Sequence, residues 1–388
     1  MKGTRHQEGY LFRKGSLWLL RYYDSEFSVD GSFRRVQKTK KLAEAGPECP
    51  TKTAARDLAR EFLEIINHAR KTPECTMTLT RFTEDRYLPF VKEHKRISTF
   101  HGYRNMWKLY LKPHGEITLR DFRTVDGERI LETIAKGSTL TSTTLAHIKA
   151  FLSGVFRYAK GQSVINSENP MRDVVLPKGK PPGETHAYSL EEIMLMLTVL
   201  PEPAATIVAA AAFTGARKGE VRGFLWENYD GKQIYISQSF WRGHALEPKT
   251  RMSKAPVPMI AHLAQRLELH RSLSGNPANG LMFPSPAGKP FNMDVLAREV
   301  IVPLATKAGV QWHGWHAFRR GLATNLHRLG VSDKTIQRIL RHANVGVTQN
   351  CYIKTADSDA AAAMHQFERS LEYAPKMHLG GLERTRLM

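Results

Sequence analysis

The sequence predicts a multidomain fold with three parts. A small α+β unit of one sheet and one helix comes first, then an all-α unit, then a mainly α unit with a small antiparallel β-sheet. Three observations carry this. Short aromatic and β-branched runs occupy residues 10–39, apolar residues recur at helical spacing from Phe82 to Tyr158, and a two-residue alternation interrupts helical periodicity near Gln233.

In the first part, residues 1–72, the runs Tyr10–Arg13, Leu17–Tyr23 and Phe33–Thr39 are separated by Gly, Ser and Asp and read as a three-stranded meander. Thr53 is expected to cap a helix reaching Ala69, with Ala55, Leu58, Phe62, Ile65 and Ile66 on its inner face. Arg34, Arg35, Lys38, Lys40 and Lys41 crowd the third strand and its exit. Such charge suits a solvated edge strand, and rather better a ribbon laid in a DNA groove.

Residues 76–176 read as a helical bundle. Its clearest stripe is Leu145, Ile148, Leu152, Val155 and Phe156, with Lys149, Arg157 and Lys160 off that stripe on the basic outer faces. Residues 177–187, rich in Pro, Gly and charge with no apolar period, read as a linker between domains. The last part is 188–388. Ser189 and Glu192 match a capping box, and Ile207–Phe213 is apolar all round, as a buried helix should be. Ile234 and Ile236 alternate as in a strand, with Val257 and Pro258 as pairing candidates. Val295, Leu296, Val300 and Leu304 mark another amphipathic helix, and an alanine-rich helix is expected over 356–371.

Composition narrows the partner. Among 388 residues, 57 Lys+Arg against 37 Asp+Glu give a net charge of +20, which favours a polyanion, most simply nucleic acid. Three scattered cysteines form neither a disulfide framework nor a zinc spacing, so a reducing cytoplasm is expected. The N-terminus lacks the apolar core of a signal peptide, and no run is long enough to span a bilayer.

Four segments hold side chains suited to phosphate chemistry. Thr214-Gly215-Ala216-Arg217 follows the buried helix, so Arg217 falls near a helix start, where anions are favoured. An arginine there can fork a phosphate or simply pair with Glu220 across one turn. Lys249 sits between predicted strands, placed to protonate a leaving oxygen or merely to decorate a turn. His316 and Arg319 share one helix face by spacing. His342 ends an apolar-periodic run and Tyr352 follows. His313 and His316 hint at a metal pair, but no Cys, Asp or Glu set completes a site, so neither metal nor cofactor is expected.

A rival reading is structural. Leu322, Leu326 and Leu329, then Gly330 and a cap at Ser332 or Asp333, outline a helix-turn-helix whose Lys334, Gln337, Arg338 and Arg341 would read bases without catalysis.

Taken in order, T-G-A-R-K-G-E around Arg217, K-T-R-M-S-K-A-P-V-P from Lys249, H-A-F-R from His316, and L-R-H-A with Thr348 and Tyr352 resemble the tyrosine recombinase, or phage integrase, family. Ala317-Phe318 stand where the family often has Asp-Leu, and both functional positions of that box are kept. The resemblance implies an arm-type DNA-binding domain, a helical core-binding domain and a catalytic domain. It implies that Tyr352 attacks a DNA phosphodiester to give a 3′-phosphotyrosyl bond. Arg217, Arg319 and His342 would hold the phosphate oxygens, His316 would act as base, Lys249 would protonate the leaving 5′ oxygen, and Glu220 would support the site. It also implies double-stranded DNA at specific sites as substrate, a homotetramer on DNA and a DNA-bending accessory protein. A type IB topoisomerase would share the nucleophile chemistry, and a nuclease built on His313 and His316 would need a metal.

Overall fold

The computed structural model describes residues 6–28, 32–69, 73–181, 183–247 and 255–341, with no account of the side chains of 68 and 69. The chain divides into two compact units, Met1–Gly183 and Glu184–Met388.

The first unit opens with an antiparallel sheet in the order β1-β2-β3: Tyr10–Lys14, Leu17–Phe27 and Phe33–Glu44. Each strand starts where the aromatic alternation starts and runs past the residue at which it fades, because cross-strand pairing continues to Lys14↔Leu17, Phe27↔Phe33 and Leu17↔Glu44. Alternation along β2 sends Trp18, Leu20, Tyr22 and Asp24 to the buried side. There Leu20 and Tyr22 meet Ala59, Leu63 and Ile66 of α1 (Lys52–Ala69). The inner face of α1 departs from the expected one. Leu58 and Ile65 stay exposed, while Ala55, Ala59, Leu63 and Ile66, at helical steps of three and four, are buried. The cap also moves: Thr51, not Thr53, accepts the Ala54 N–H at 3.2 Å.

Asp24 is a buried carboxylate clasped by both Nη atoms of Arg120 at 3.0 Å. Burial works against its ionisation, but Arg120 and Lys38 hold its pKa below the ordinary carboxylate value. This fork ties the sheet to the helical part of the same unit.

That part comprises α2 (Leu79–Phe82), α3 (Leu88–His94), α4 (Ile97–Met106), α5 (Thr124–Lys136) and α6 (Ser142–Gly161). The predicted stripe of α6 is fully buried, joined by Phe151. Lys180 lies in the predicted linker but is bridged to Thr141, and a Cβ on Gly179 would sit 2.5 Å from the Ser142 nitrogen. The start of that stretch is therefore packed onto α6 rather than a free tether.

In the second unit, α7 (Leu190–Val199) has the capping box expected of it: Ser189 Oγ accepts the Glu192 N–H at 3.2 Å, and Glu192 Oε2 accepts that of Ser189 at 2.8 Å. The α8 helix (Ala204–Thr214) is buried from Ala204 to Ala212 among α7, α10 and α13. Next come α9 (Lys218–Val221), β4 (Gln233–Ile234), the β5–β6 hairpin (Ser239–Trp241, His244–Leu246), β7 (Val257–Pro258) and α10 (Ala261–Leu273). Ile234 pairs with Val257 and Gln233 with Pro258. The remaining elements are α11 (Met293–Leu296), α12 (Val302–Lys307), α13 (Trp315–Arg328) and α14 (Asp333–Leu340).

Three widened helical turns, Thr83–Tyr87, Trp107–Leu111 and Ala297–Ile301, each precede a proline: Pro89, Pro113 and Pro303. A proline has no N–H to donate and pushes against the carbonyl four residues back, and each of those carbonyls lies inside the widened turn. The same bulge turns Met293, Leu296, Ala297, Ile301 and Ala305 inward, with Val300 and Leu304 only partly buried. No described helix is long and apolar enough to cross a membrane.

Candidate active site

The site grows from the end of α8. Gly215 closes that helix in the left-handed region at φ 60°, ψ 17°. A Cβ there would lie 2.7 Å from Leu340 Cδ2 and 2.9 Å from Leu322 Cδ2, so conformation and space both call for glycine. Thr214 Oγ1 accepts the Ala216 N–H at 3.1 Å, fixing the turn. Arg217 follows in extended conformation as the N-cap of α9.

Both readings of Arg217 meet in the structure. It stands at a helix start, and it pairs with Glu220. Its backbone N–H donates to Glu220 Oε2 and its Nη1 to Oε1, both at 2.9 Å. Glu220 is buried and takes a second guanidinium: Arg341 Nη2 lies 2.7 Å from Oε2. Burial opposes ionisation of Glu220, but Arg341 and Arg217 outweigh it and hold its pKa below the usual carboxylate range. The side chain of Arg217 is 42% exposed against 0% for Arg341, so it is Arg217 that faces outward.

The α13 helix supplies the other pair. Arg319 is fully buried. Its Nη1 donates to the Gly215 carbonyl at 2.7 Å and its Nη2 to the Leu340 carbonyl in a short bond. One cation thus joins the Arg217 turn to the end of α14. His316, one turn earlier, keeps solvent access. Crowding strips water from its ring, and Arg319, Arg320 and Arg217 add positive field, bringing its pKa down to about 4, with Glu220 opposing. The cations alone give that sign. His316 is neutral at pH 7.

Gly321 lets α13 lie against the backbone of Tyr188, whose carbonyl accepts from Asn325 Nδ2 at 3.2 Å. His313 stacks on His186 with ring centroids 4.0 Å apart, and its backbone N–H donates to Tyr188 Oη at 2.7 Å. Among the described residues no group of three or more His, Cys, Asp or Glu is placed to hold a metal.

The structure therefore brings Arg217, Glu220, His316 and Arg319 together. Lys249, His342 and Tyr352 lie outside the described residues, as does the expected alanine-rich helix. Arg341 belongs to the cluster and was not among the expected catalytic residues. As a base reader in a helix-turn-helix it is misplaced, because its side chain is sealed from solvent on Glu220. Leu329 also fails that reading: it is 72% exposed, and Val331 packs with Ile336 and Leu340 instead.

The basic residues of the first unit separate by strand parity. Arg35 lies opposite Ser25 on the side away from α1, whereas Arg34, Lys38 and Lys40 lie opposite Glu26, Tyr22 and Leu20 on the side of α1. Lys40 Nζ sits over the Phe62 ring of α1, and Lys38 Nζ is 2.7 Å from Glu26. In the helical part, Lys149 Nζ donates to the Val174 carbonyl at 2.7 Å, while Arg157 is exposed.

A buried carboxylate thus holds an outward arginine beside a neutral histidine and a second arginine. Residues 187–359 match the model of the phage integrase family, and the chain is a tyrosine site-specific DNA recombinase. The chain is 24% identical over 351 residues to a XerC-like tyrosine recombinase of Caldanaerobacter subterraneus subsp. tengcongensis, spanning 81% of this chain and 86% of that one. Its fold is similar to that of the Tn1549 transposon integrase in complex with transposon right end DNA (TM-score 0.62, 18% identity, 75% of this chain and 100% of the other). It is also similar to lambda integrase, solved as a tetramer bound to a Holliday junction (TM-score 0.55, 17% identity, 89% and 96%).

Proposed function

We propose that this recombinase moves a phage or other mobile element into or out of a DNA site, with Tyr352 as its nucleophile. The phenolic oxygen of Tyr352 attacks the scissile phosphorus as the bond to the 5′ oxygen breaks. His316 takes the phenolic proton and Lys249 protonates the departing oxygen. Arg217 and His342 stabilise charge on the phosphorane-like transition state, and the buried Arg319 adds its positive field from behind the turn that carries Arg217. Glu220 supports Arg217. The 3′-phosphotyrosyl link conserves the ester energy, so a new 5′-hydroxyl rejoins the strand without ATP.

The observation that carries this reading is Arg319 bonded to both Gly215 and Leu340. It ties the turn that bears Arg217 to the residues just before His342, gathering motifs that are far apart in sequence. A neutral His316 is a proton acceptor, and a phosphate bound among the cations would offset their field and make it a stronger one. The test is a suicide DNA substrate carrying the element's end. The native chain should form an SDS-resistant conjugate through Tyr352, and Tyr352→Phe should bind DNA without forming one. A conjugate in the Phe variant would overturn the assignment.

Double-stranded DNA at specific sites is the substrate, and we assign the three parts to it by their charge. The sheet of residues 1–72 would take arm-type sites through the face away from α1, where Arg21 stacks over Phe12 at 5.2 Å and Arg35 over Tyr23 at 4.2 Å. The helical part, 76–176, would take the core site, with Arg157 as its exposed cation. Residues 188–388 would carry the chemistry. By analogy with the lambda tetramer on its junction, four copies would act together, with a DNA-bending accessory protein where arm and core sites are far apart.

A further inference from the structure

We propose that Arg341 is a positioning residue for strand cleavage, holding Glu220 and, through it, the guanidinium of Arg217. This rests on the assignment of Arg217 to the scissile phosphate.

Four non-glycine residues have positive φ among the described residues: Ser163, Arg242, Asn276 and Arg341. The first three are exposed, but Arg341 is buried, at φ 58° and ψ 44°. A glycine would take that backbone without strain, and an apolar side chain would fill the space without desolvating a charge. The arginine makes sense through its partner. Glu220 accepts from Arg341 Nη2 at 2.7 Å, and from Arg217 N and Nη1 at 2.9 Å. Paired with Arg217 alone, that carboxylate would cancel the charge the phosphate needs. With Arg341 on the same carboxylate, the trio keeps a net positive charge, and its exposed member is Arg217. Glu220 can then aim Arg217 without neutralising the site.

The test uses the full chain, a suicide DNA substrate and three variants: Arg341→Met, Arg341→Lys, and Glu220→Gln with Arg341→Met. Arg341→Met should bind DNA as tightly as the native chain but cleave bound DNA about 10²-fold more slowly, the scale of loss expected for a group misplaced by an ångström. The acid limb of its rate–pH profile should move to higher pH, because Glu220 has lost the cation that favours its charged form. Arg341→Lys keeps a cation and should leave that limb in place. Should Arg341→Met fail to fold, the double variant, which removes both buried charges, takes its place: it should bind DNA and cleave slowly. Cleavage within twofold of native by Arg341→Met or the double variant overturns the proposal. So does a slow Arg341→Met whose DNA affinity falls in step with its rate while the acid limb stays put. If the native chain itself forms no conjugate, the functional assignment fails instead.

Discussion

Arg319 Nη1 lies 2.7 Å from the carbonyl oxygen of Gly215, so a fully buried cation on α13 is fastened to the end of α8. Its other terminal nitrogen reaches the Leu340 carbonyl at the end of α14. The ends of α8 and α14 thus share one guanidinium carried by α13, and a planar fork suits two acceptors placed in that way.

Arg319→Lys should therefore rescue little. Arg319→Ala leaves two buried carbonyls without their donor and should cost about 3 kcal/mol of stability. Both variants should lower the urea midpoint and cut conjugate formation by more than about tenfold. An Arg319→Lys variant with native midpoint and rate would show that the fork is not needed.

Gly215→Ala tests the same junction from the other side. Its Cβ would enter space held by Leu340 and Leu322 at a φ of 60°. A loss of about 1–3 kcal/mol is expected, with a larger effect on cleavage than on DNA binding, because Arg217 lies two residues on. Thermal melting and a DNA-affinity titration separate the two. Equal losses of rate and affinity would argue that the turn positions nothing in particular.

The pH dependence has a definite sign. The pKa of His316 is lowered to about 4 in the folded chain, while the unfolded chain has the ordinary histidine value of about 6.5. The unfolded chain therefore binds the extra proton first, and this residue costs stability progressively as pH falls from about 6.5 to about 4. His316→Gln should flatten the stability profile across that window. For cleavage, His316 stays neutral through the same window, so the acid limb of kcat/KM should lie below pH 6.5, and His316→Gln should lower the rate about 10²-fold. An acid limb at or above 6.5 would contradict a depressed histidine acting as base.

Much of this was legible in local pattern. The strand starts at Tyr10, Leu17 and Phe33, the Ser189–Glu192 box and the all-apolar α8 follow from spacing alone, and they appear where spacing put them. What spacing could not resolve was choice among alternatives of equal local merit. On α1, Leu58 and Ile65 are as apolar as Leu63 and Ile66, and only the sheet decides which stripe is buried. The buried pairing of Arg341 was not legible for a related reason. An arginine at a helix end is ordinarily solvated, and its partner Glu220 is 121 positions away. The Glu220–Arg217 pair, three residues apart, could be read from sequence, and the tertiary pair that completes it could not.

Strand parity gives the last prediction. On the β-sheet of the first unit, Arg21 and Arg35 point away from α1, whereas Lys38 and Lys40 lie on the side of α1, engaged with Glu26 and the Phe62 ring. A duplex docked on the open face would meet the first pair and miss the second. Neutralising a cation that contacts a phosphate lowers the slope of log K against log salt by about one. Arg35→Ala and Arg21→Ala should each do so in titrations of the full chain with arm-site DNA. Lys40→Ala should leave the slope unchanged, since its ammonium is on the far side of the sheet. Charge alone would rank these residues equally, so the comparison isolates orientation. A slope lowered by Lys40→Ala and untouched by Arg35→Ala would place the duplex against the α1 side, and the open aromatic face would then need another partner.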